Sequence, residues 1–231
     1  MIPPLCFITD ASAPASVIVQ ARAAAQGGAQ WIQLRDKSTP DADLAPLART
    51  LMEALSPFGA KLIVNDRVDL AIAIGAPGVH VGQGDGDAAR TRQRVGPDMI
   101  LGLSIETAAQ LDAVPAGVDY LGVGPVYATG SKPDHAAPIG LDGFAAIAGR
   151  SSLPCLAIGG ITARDAVPIK TCGGAGLAVV SAISRASTGS SVASRRAPNA
   201  ASPIRPPALM RGPIRKPRWK VLTGSPMRAT R

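Results

Sequence analysis

Eight short apolar runs recur along the chain at regular intervals, each followed by a stretch of helical character, and no other feature narrows the fold so far. The runs are Leu5–Thr9, Trp31–Leu34, Leu62–Val64, Gly78–Val81, Ile100–Leu103, Tyr120–Val123, Cys155–Ile158 and Leu177–Val180. Between them lie Ala- and Leu-rich segments such as Val17–Gln26, Leu44–Leu55 and Thr107–Val114. This alternation predicts βαβ units and a parallel sheet. The runs are apolar almost throughout, as strands buried on both faces must be. Eight of them favour closure into a (β/α)₈ TIM barrel, and 231 residues are enough to build one. An open doubly wound sheet is the alternative, but no Gly-rich dinucleotide fingerprint follows the first run. The alternation stops near Ile183, so a barrel domain is expected over residues 1–184.

The polar residues of interest share one address. Gln33, Arg35 and Lys37 follow the second run, Asn65 and Asp66 the third, and Gln83 and Asp85 the fourth. Ser104 follows the fifth, Thr129 to Lys132 the sixth, Gly159 and Gly160 the seventh, and Ser181 the eighth. In a (β/α)₈ barrel these positions converge on the C-terminal face, where the loops after the strands build active sites.

The formal net charge of +8 divides unevenly. Residues 1–184 hold 13 Lys/Arg against 16 Asp/Glu, a balance of −3, whereas residues 185–231 hold 11 Lys/Arg and no acid, a balance of +11. A nucleic-acid-binding role for the whole protein is therefore disfavoured, and any such role falls to the basic end. That end is rich in Pro, Arg and Ser and is expected to be disordered. Cys6, Cys155 and Cys172 are odd in number, far apart and set among apolar residues, which predicts free thiols in a reducing compartment. The first apolar stretch is too short for a signal peptide, and none is long enough to span a membrane. A cytoplasmic protein is expected, with self-association left open.

Several motifs carry chemistry. In QLRDK (33–37), period-two geometry sends Gln33, Arg35 and Lys37 to one side, and the two cations suit phosphate oxygens. A solvated charged loop is the plain alternative. VNDR (64–67) and GVHVGQGD (78–85) supply Asp66 and Asp85 from neighbouring strand ends. Mg²⁺ takes a few hard oxygen ligands and keeps waters or substrate phosphates, so two aspartates suffice. Asp66 as a helix N-cap is the alternative, and His80 reads as a packed strand histidine. The glycine-rich stretch GPVYATGSK (124–132) offers hydroxyls and Lys132 to a second phosphate, or is a loop without a ligand. IGGI (158–161) and VVSAI (179–183) let backbone approach an anion at the recurrent barrel phosphate site, or are structural turns.

Together with GLS (102–104), these motifs resemble the thiamine-phosphate synthase family over residues 5–184. The resemblance implies a magnesium-dependent transferase of thiamine biosynthesis. It would couple 4-amino-2-methyl-5-pyrimidinylmethyl diphosphate to a thiazole phosphate by dissociative substitution, releasing thiamine phosphate and diphosphate. It assigns Gln33, Arg35, Lys37 and Asn65 to the pyrimidine diphosphate, Asp66 and Asp85 to Mg²⁺, Ser104 to the pyrimidine and Lys132 to the diphosphate. Arg35, Ser104 and Lys132 would then act in catalysis. Thr129, Ser131, Gly160, Val180 and Ser181 match positions around the thiazole phosphate or its pocket. Gly84 stands where the family often has an acidic residue, and Ser131 where Thr is commoner. Other readings are a thiazole-tautomerase-like paralogue, disfavoured by the full diphosphate–metal set, and a phosphate-binding pseudoenzyme. Family members follow SAI with an Ala-rich helix. Nothing in 185–231 resembles it, so the barrel is expected to lack a normal final helix, with impaired solubility or reliance on a partner as the consequence. An out-of-frame reading of a GC-rich gene would give such an end.

Overall fold

The computed structural model of the chain describes residues 2–131 and 136–185. Eight parallel strands close on themselves: β1 (Leu5–Ile8), β2 (Trp31–Leu34), β3 (Lys61–Asn65), β4 (Gly78–Val81), β5 (Ile100–Ile105), β6 (Tyr120–Val123), β7 (Cys155–Ala157) and β8 (Gly176–Val179). Each pairs with the next, and β8 pairs with β1 through Cys6↔Ala178, so no edge is left open. The helices are α1 (Val17–Gln26), α2 (Asp41–Leu55), α3 (Val68–Ile74), α4 (Ala88–Val95), α5 (Ala108–Asp112), α6 (Gly140–Ala148), α7 (Ala166–Thr171) and α8 (Ser181–Ser184). The open-sheet alternative is thereby excluded. What was expected of residues 186–231, disorder and the missing final helix included, lies outside the described residues.

Local sequence explains where several helices begin. Ser16 caps α1 by accepting the Val19 N–H, Asp87 caps α4 by accepting the Ala89 N–H, and Thr107 with Gln110 forms a reciprocal capping box on α5. Left-handed Gly75 ends α3. Such short helices are held mainly by packing.

Two apolar cores result from the alternation of side chains along each strand. Outward residues such as Phe7, Ile32, Leu34, Leu62, Val64 and Leu121 meet Leu44, Leu51 and Leu55 of α2 and Phe144 and Ile147 of α6 in one cluster. Cys6, Ile8, Trp31, Ile63, Tyr120, Leu156 and Ala178 form a second cluster inside the barrel. The inner set plugs the lower part of the cylinder, which leaves the upper strand ends free to carry polar groups.

Candidate active site at the barrel mouth

A cavity of about 400 Å³ opens at the C-terminal ends of the strands. Gln33, Arg35, Lys37, Asn65, Asp66, Asp85, Ser104, Thr129, Ser131, Gly160, Val180 and Ser181 all line it. Lys132 lies outside the described residues. Apart from Gln83 and Gly130, the described positions singled out at seven strand ends thus converge on one space, contributed by elements far apart in the chain.

The loop after β2 is rigidly built. The Asp36 carboxylate accepts hydrogen bonds from the backbone and hydroxyls of both Ser38 and Thr39, at 2.8–3.0 Å. Burial works to raise its pKa, but these donors prevail and hold it at about 2. Arg67 donates twice to the Asp36 carbonyl and pairs with Asp41 at 2.5 Å, tying this loop to the one after β3. Arg35 is anchored by its own N–H, which donates to Thr9 Oγ1 at 3.1 Å, leaving the guanidinium to the cavity. The solvated-loop alternative for QLRDK fails for Gln33, which is only 4% exposed.

Asp66 has φ 64°, the one positive value among the described non-glycine residues. Its N–H donates to the His80 carbonyl at 2.8 Å, and Arg67, not Asp66, occupies the N-cap position of α3. The capping alternative is therefore excluded, and the carboxylate is left to face Asp85. Burial, together with a hydrogen bond and repulsion from Asp85, raises the Asp66 pKa to about 6 against the pull of Lys37 and Arg35. Lys37 Nζ sits 3.8 Å from Asp66 Oδ2. Asp85 Oδ2 is positioned by the Gly82 N–H at 2.7 Å. Among the described residues no group of three or more His, Cys, Asp or Glu is arranged to hold a metal. Two crowded carboxylates with nearby phosphate-seeking cations nevertheless fit Mg²⁺, whose remaining ligands are water and substrate oxygens.

His80 is buried on β4 and bonded at both ring nitrogens. Nδ1 lies 3.0 Å from Tyr120 Oη and Nε2 lies 3.0 Å from Ser104 Oγ. Burial lowers its pKa to about 4, so the ring is neutral near pH 7. The packed-histidine reading holds, yet the ring also lines the cavity. Ser104 is the fifth residue of β5, still within the strand, and Gln83 Nε2 donates to its carbonyl at 2.6 Å.

On the opposite wall, Gly160 has φ 64°, and a Cβ there would lie 2.7 Å from both the Ala128 carbonyl oxygen and Tyr127 Cβ. The β7 turn can press against the loop after β6 only because it is glycine. Thr9, Asp10 and Ser12 after β1 also line the cavity, although the sequence reading began its polar set at the second strand. The signal was present: Thr9-Asp10 ends the first apolar run as the other polar residues end theirs. Gln20 clamps this loop through Nε2 to the Asp10 carbonyl at 2.8 Å, and Ser184 Oγ of α8 donates to Asp10 Oδ2 at 3.4 Å. Cys6, Cys155 and Cys172 are free thiols. Among the described residues no helix is long and apolar enough to cross a membrane.

Residues 5–183 match the family model described as thiamine monophosphate synthase. The chain is 44% identical over 182 residues to a thiamine-phosphate synthase of Azorhizobium caulinodans, covering 78% of this chain and 86% of that one. It is 47% identical over 162 residues to a thiamine-phosphate synthase of Roseiflexus sp., covering 70% and 69%. Among solved structures, thiamine phosphate pyrophosphorylase from Pyrococcus furiosus superposes with TM-score 0.71 at 33% identity, covering 79% of this chain and 88% of that one.

Proposed function

The chain belongs to the thiamine monophosphate synthase family, a family of transferases in thiamine biosynthesis, and from that premise we propose that its cavity couples a pyrimidinylmethyl diphosphate to a thiazole phosphate. One observation carries the reading: every described residue that the family resemblance assigns to the two substrates or to Mg²⁺ lines the same cavity. Its volume of about 400 Å³ is in the range of small-molecule sites.

In this reading Arg35 and Lys37 bind the diphosphate, the guanidinium through paired N–H donors and the ammonium as a mobile charge. Asn65, the last residue of β3, adds a polar contact beside them. Asp66 and Asp85 would hold Mg²⁺, which when bound would offset the negative charge that grows on the departing diphosphate. The C–O bond to the pyrimidine methylene breaks and diphosphate leaves with the electron pair. The thiazole nitrogen then donates its own pair to that carbon. Lys132, by the resemblance, contacts the diphosphate. Ser104 contacts the pyrimidine, while Thr129, Ser131, Gly160, Val180 and Ser181 surround the thiazole phosphate. The protein's contribution is positioning and electrostatics, so no side-chain nucleophile is needed.

The test is an assay of the purified full-length protein with both substrates, with and without Mg²⁺, following thiamine phosphate. Product is expected only with Mg²⁺, and Asp66→Ala is expected to lower turnover by about 100-fold or more. No thiamine phosphate from the unaltered protein under these conditions would overturn the reading. Unchanged turnover in Asp66→Ala would remove Asp66 from the metal role.

A further inference from the structure

Beneath the cavity, side-chain hydrogen bonds run from Tyr120 on β6 through His80 on β4 to Ser104 on β5, and two of these three residues have no part in the reading above. Tyr120 Oη lies 3.0 Å from His80 Nδ1, and His80 Nε2 lies 3.0 Å from Ser104 Oγ. The strand register makes this geometry available. His80, Gly102 and Tyr120 are Cα partners across β4, β5 and β6, so His80 and Tyr120 meet directly over the middle strand. They can do so only because that strand carries glycine there: a Cβ at Gly102 would lie 2.3 Å from both His80 Nδ1 and Tyr120 Cζ. A Cβ at Gly122 would likewise come within 3.1 Å of His80 Cε1. Two glycines thus clear a slot for the imidazole. Trp31 closes it from below, its ring centroid 4.8 Å from that of Tyr120.

We propose that Tyr120 and His80 are positioning residues that fix the Ser104 hydroxyl as a hydrogen-bond donor toward a ring nitrogen of the pyrimidine substrate. A neutral imidazole has one N–H and one lone pair, so one of its two partners donates to the ring and the other accepts from it. In the proposed direction the Tyr120 O–H donates to Nδ1. His80 is then the Nε2–H tautomer and donates to Ser104 Oγ. The only proton left at the end of the chain is that of Ser104, and Ser104 lines the cavity. Gln83, by donating to the Ser104 carbonyl at 2.6 Å, fixes the backbone of the same residue from the loop above. Such a hydroxyl favours a ligand that presents a lone pair there and rejects one that presents an N–H, because two opposed donors cannot share the contact.

This inference rests on the proposed function for the identity of the ring, and its test separates the two. Tyr120→Phe keeps the packing on Trp31 and deletes only the phenol oxygen. Calorimetric titration with the pyrimidine diphosphate alone should show about 10-fold weaker binding to Tyr120→Phe, the weight of one hydrogen bond. Inorganic diphosphate, which has no ring to read, should bind as to the unaltered protein. In a Ser104→Ala background the Tyr120→Phe effect should vanish, since both act at one contact. Equal weakening toward both probes, or losses that multiply in the double variant, would overturn the proposal. On the resting, unaltered protein, ¹⁵N–¹H correlation spectra of His80 should show the proton on Nε2. A proton on Nδ1 would reverse the chain and sink the assignment even if thiamine phosphate is made. Failure to make thiamine phosphate would sink the functional reading while leaving the tautomer result intact.

Discussion

Asp66 concentrates the electrostatics of the site in one side chain. Its positive φ directs the carboxylate at Asp85, and burial, with the hydrogen bond and repulsion from Asp85, lifts its pKa from 3.8 to about 6. A raised carboxylate pKa means that the folded protein holds a proton the unfolded chain has already released between about pH 4 and 6. The stabilisation is complete below the unfolded pKa and is lost as pH rises through the folded one. The metal-free protein is therefore expected to melt at progressively lower temperature as pH is raised through this window. Asp66→Asn should flatten that slope and raise the melting temperature near pH 8, as read by scanning calorimetry. Added Mg²⁺ should stabilise the unaltered protein at pH 8 and have little effect on Asp66→Asn. A pH profile identical in the two proteins would show that the carboxylate pair is not under strain.

At the level of elements, the strand is what turns local sequence into a site. Period-two alternation separates Ile32 and Leu34, which meet the helices, from Trp31 and Gln33, which face the barrel interior. The helices contribute less specificity than support. The caps on α1, α4 and α5 fix where they start, and the Arg67 bridge to Asp36 and Asp41 holds two of the loops between strand and helix in register. Among the strands, β5 is the most constrained, because Gly102 must leave space for two rings from its neighbours. Gly102→Ala is expected to cost about 1–3 kcal/mol through overpacking, measured by urea denaturation, and to disturb the His80–Tyr120 hydrogen bond. A substitution there with no loss of stability would mean that the slot is wider than the contact distances imply.

For the molecule as a whole, the charge asymmetry makes a separate prediction. The barrel residues are mildly acidic and residues 185–231 are strongly basic, with 11 Lys/Arg and no acid. Any affinity of the full chain for RNA or DNA should fall steeply with added salt and should disappear when the chain is truncated after Arg185. Binding that survives truncation would place a nucleic-acid surface on the barrel itself. The closed sheet also sets how core damage spreads. Leu51→Ala, fully buried on α2 against the strands, is expected to lower the unfolding free energy by about 2–5 kcal/mol in a single cooperative transition.

Read alone, the sequence determined the eight strands and their alternation with helices, because apolar periodicity is a local property; it favoured closure over an open sheet, which the pairing of β8 with β1 decided. It also placed Gln33, Arg35, Lys37, Asn65, Asp66, Asp85 and Ser104 at strand ends, since a side chain's face follows from parity along a strand. It did not show that the first strand end, with Thr9 and Asp10, belongs to the same cavity, or that Asp66 is no helix cap. Least visible was the role of His80: its partners Tyr120 and Ser104 lie 40 and 24 residues away in sequence. Contacts of that kind depend on the register between neighbouring strands and on the room two glycines leave inside the closed sheet. Neither is a property of any one segment, so only the folded barrel could decide them.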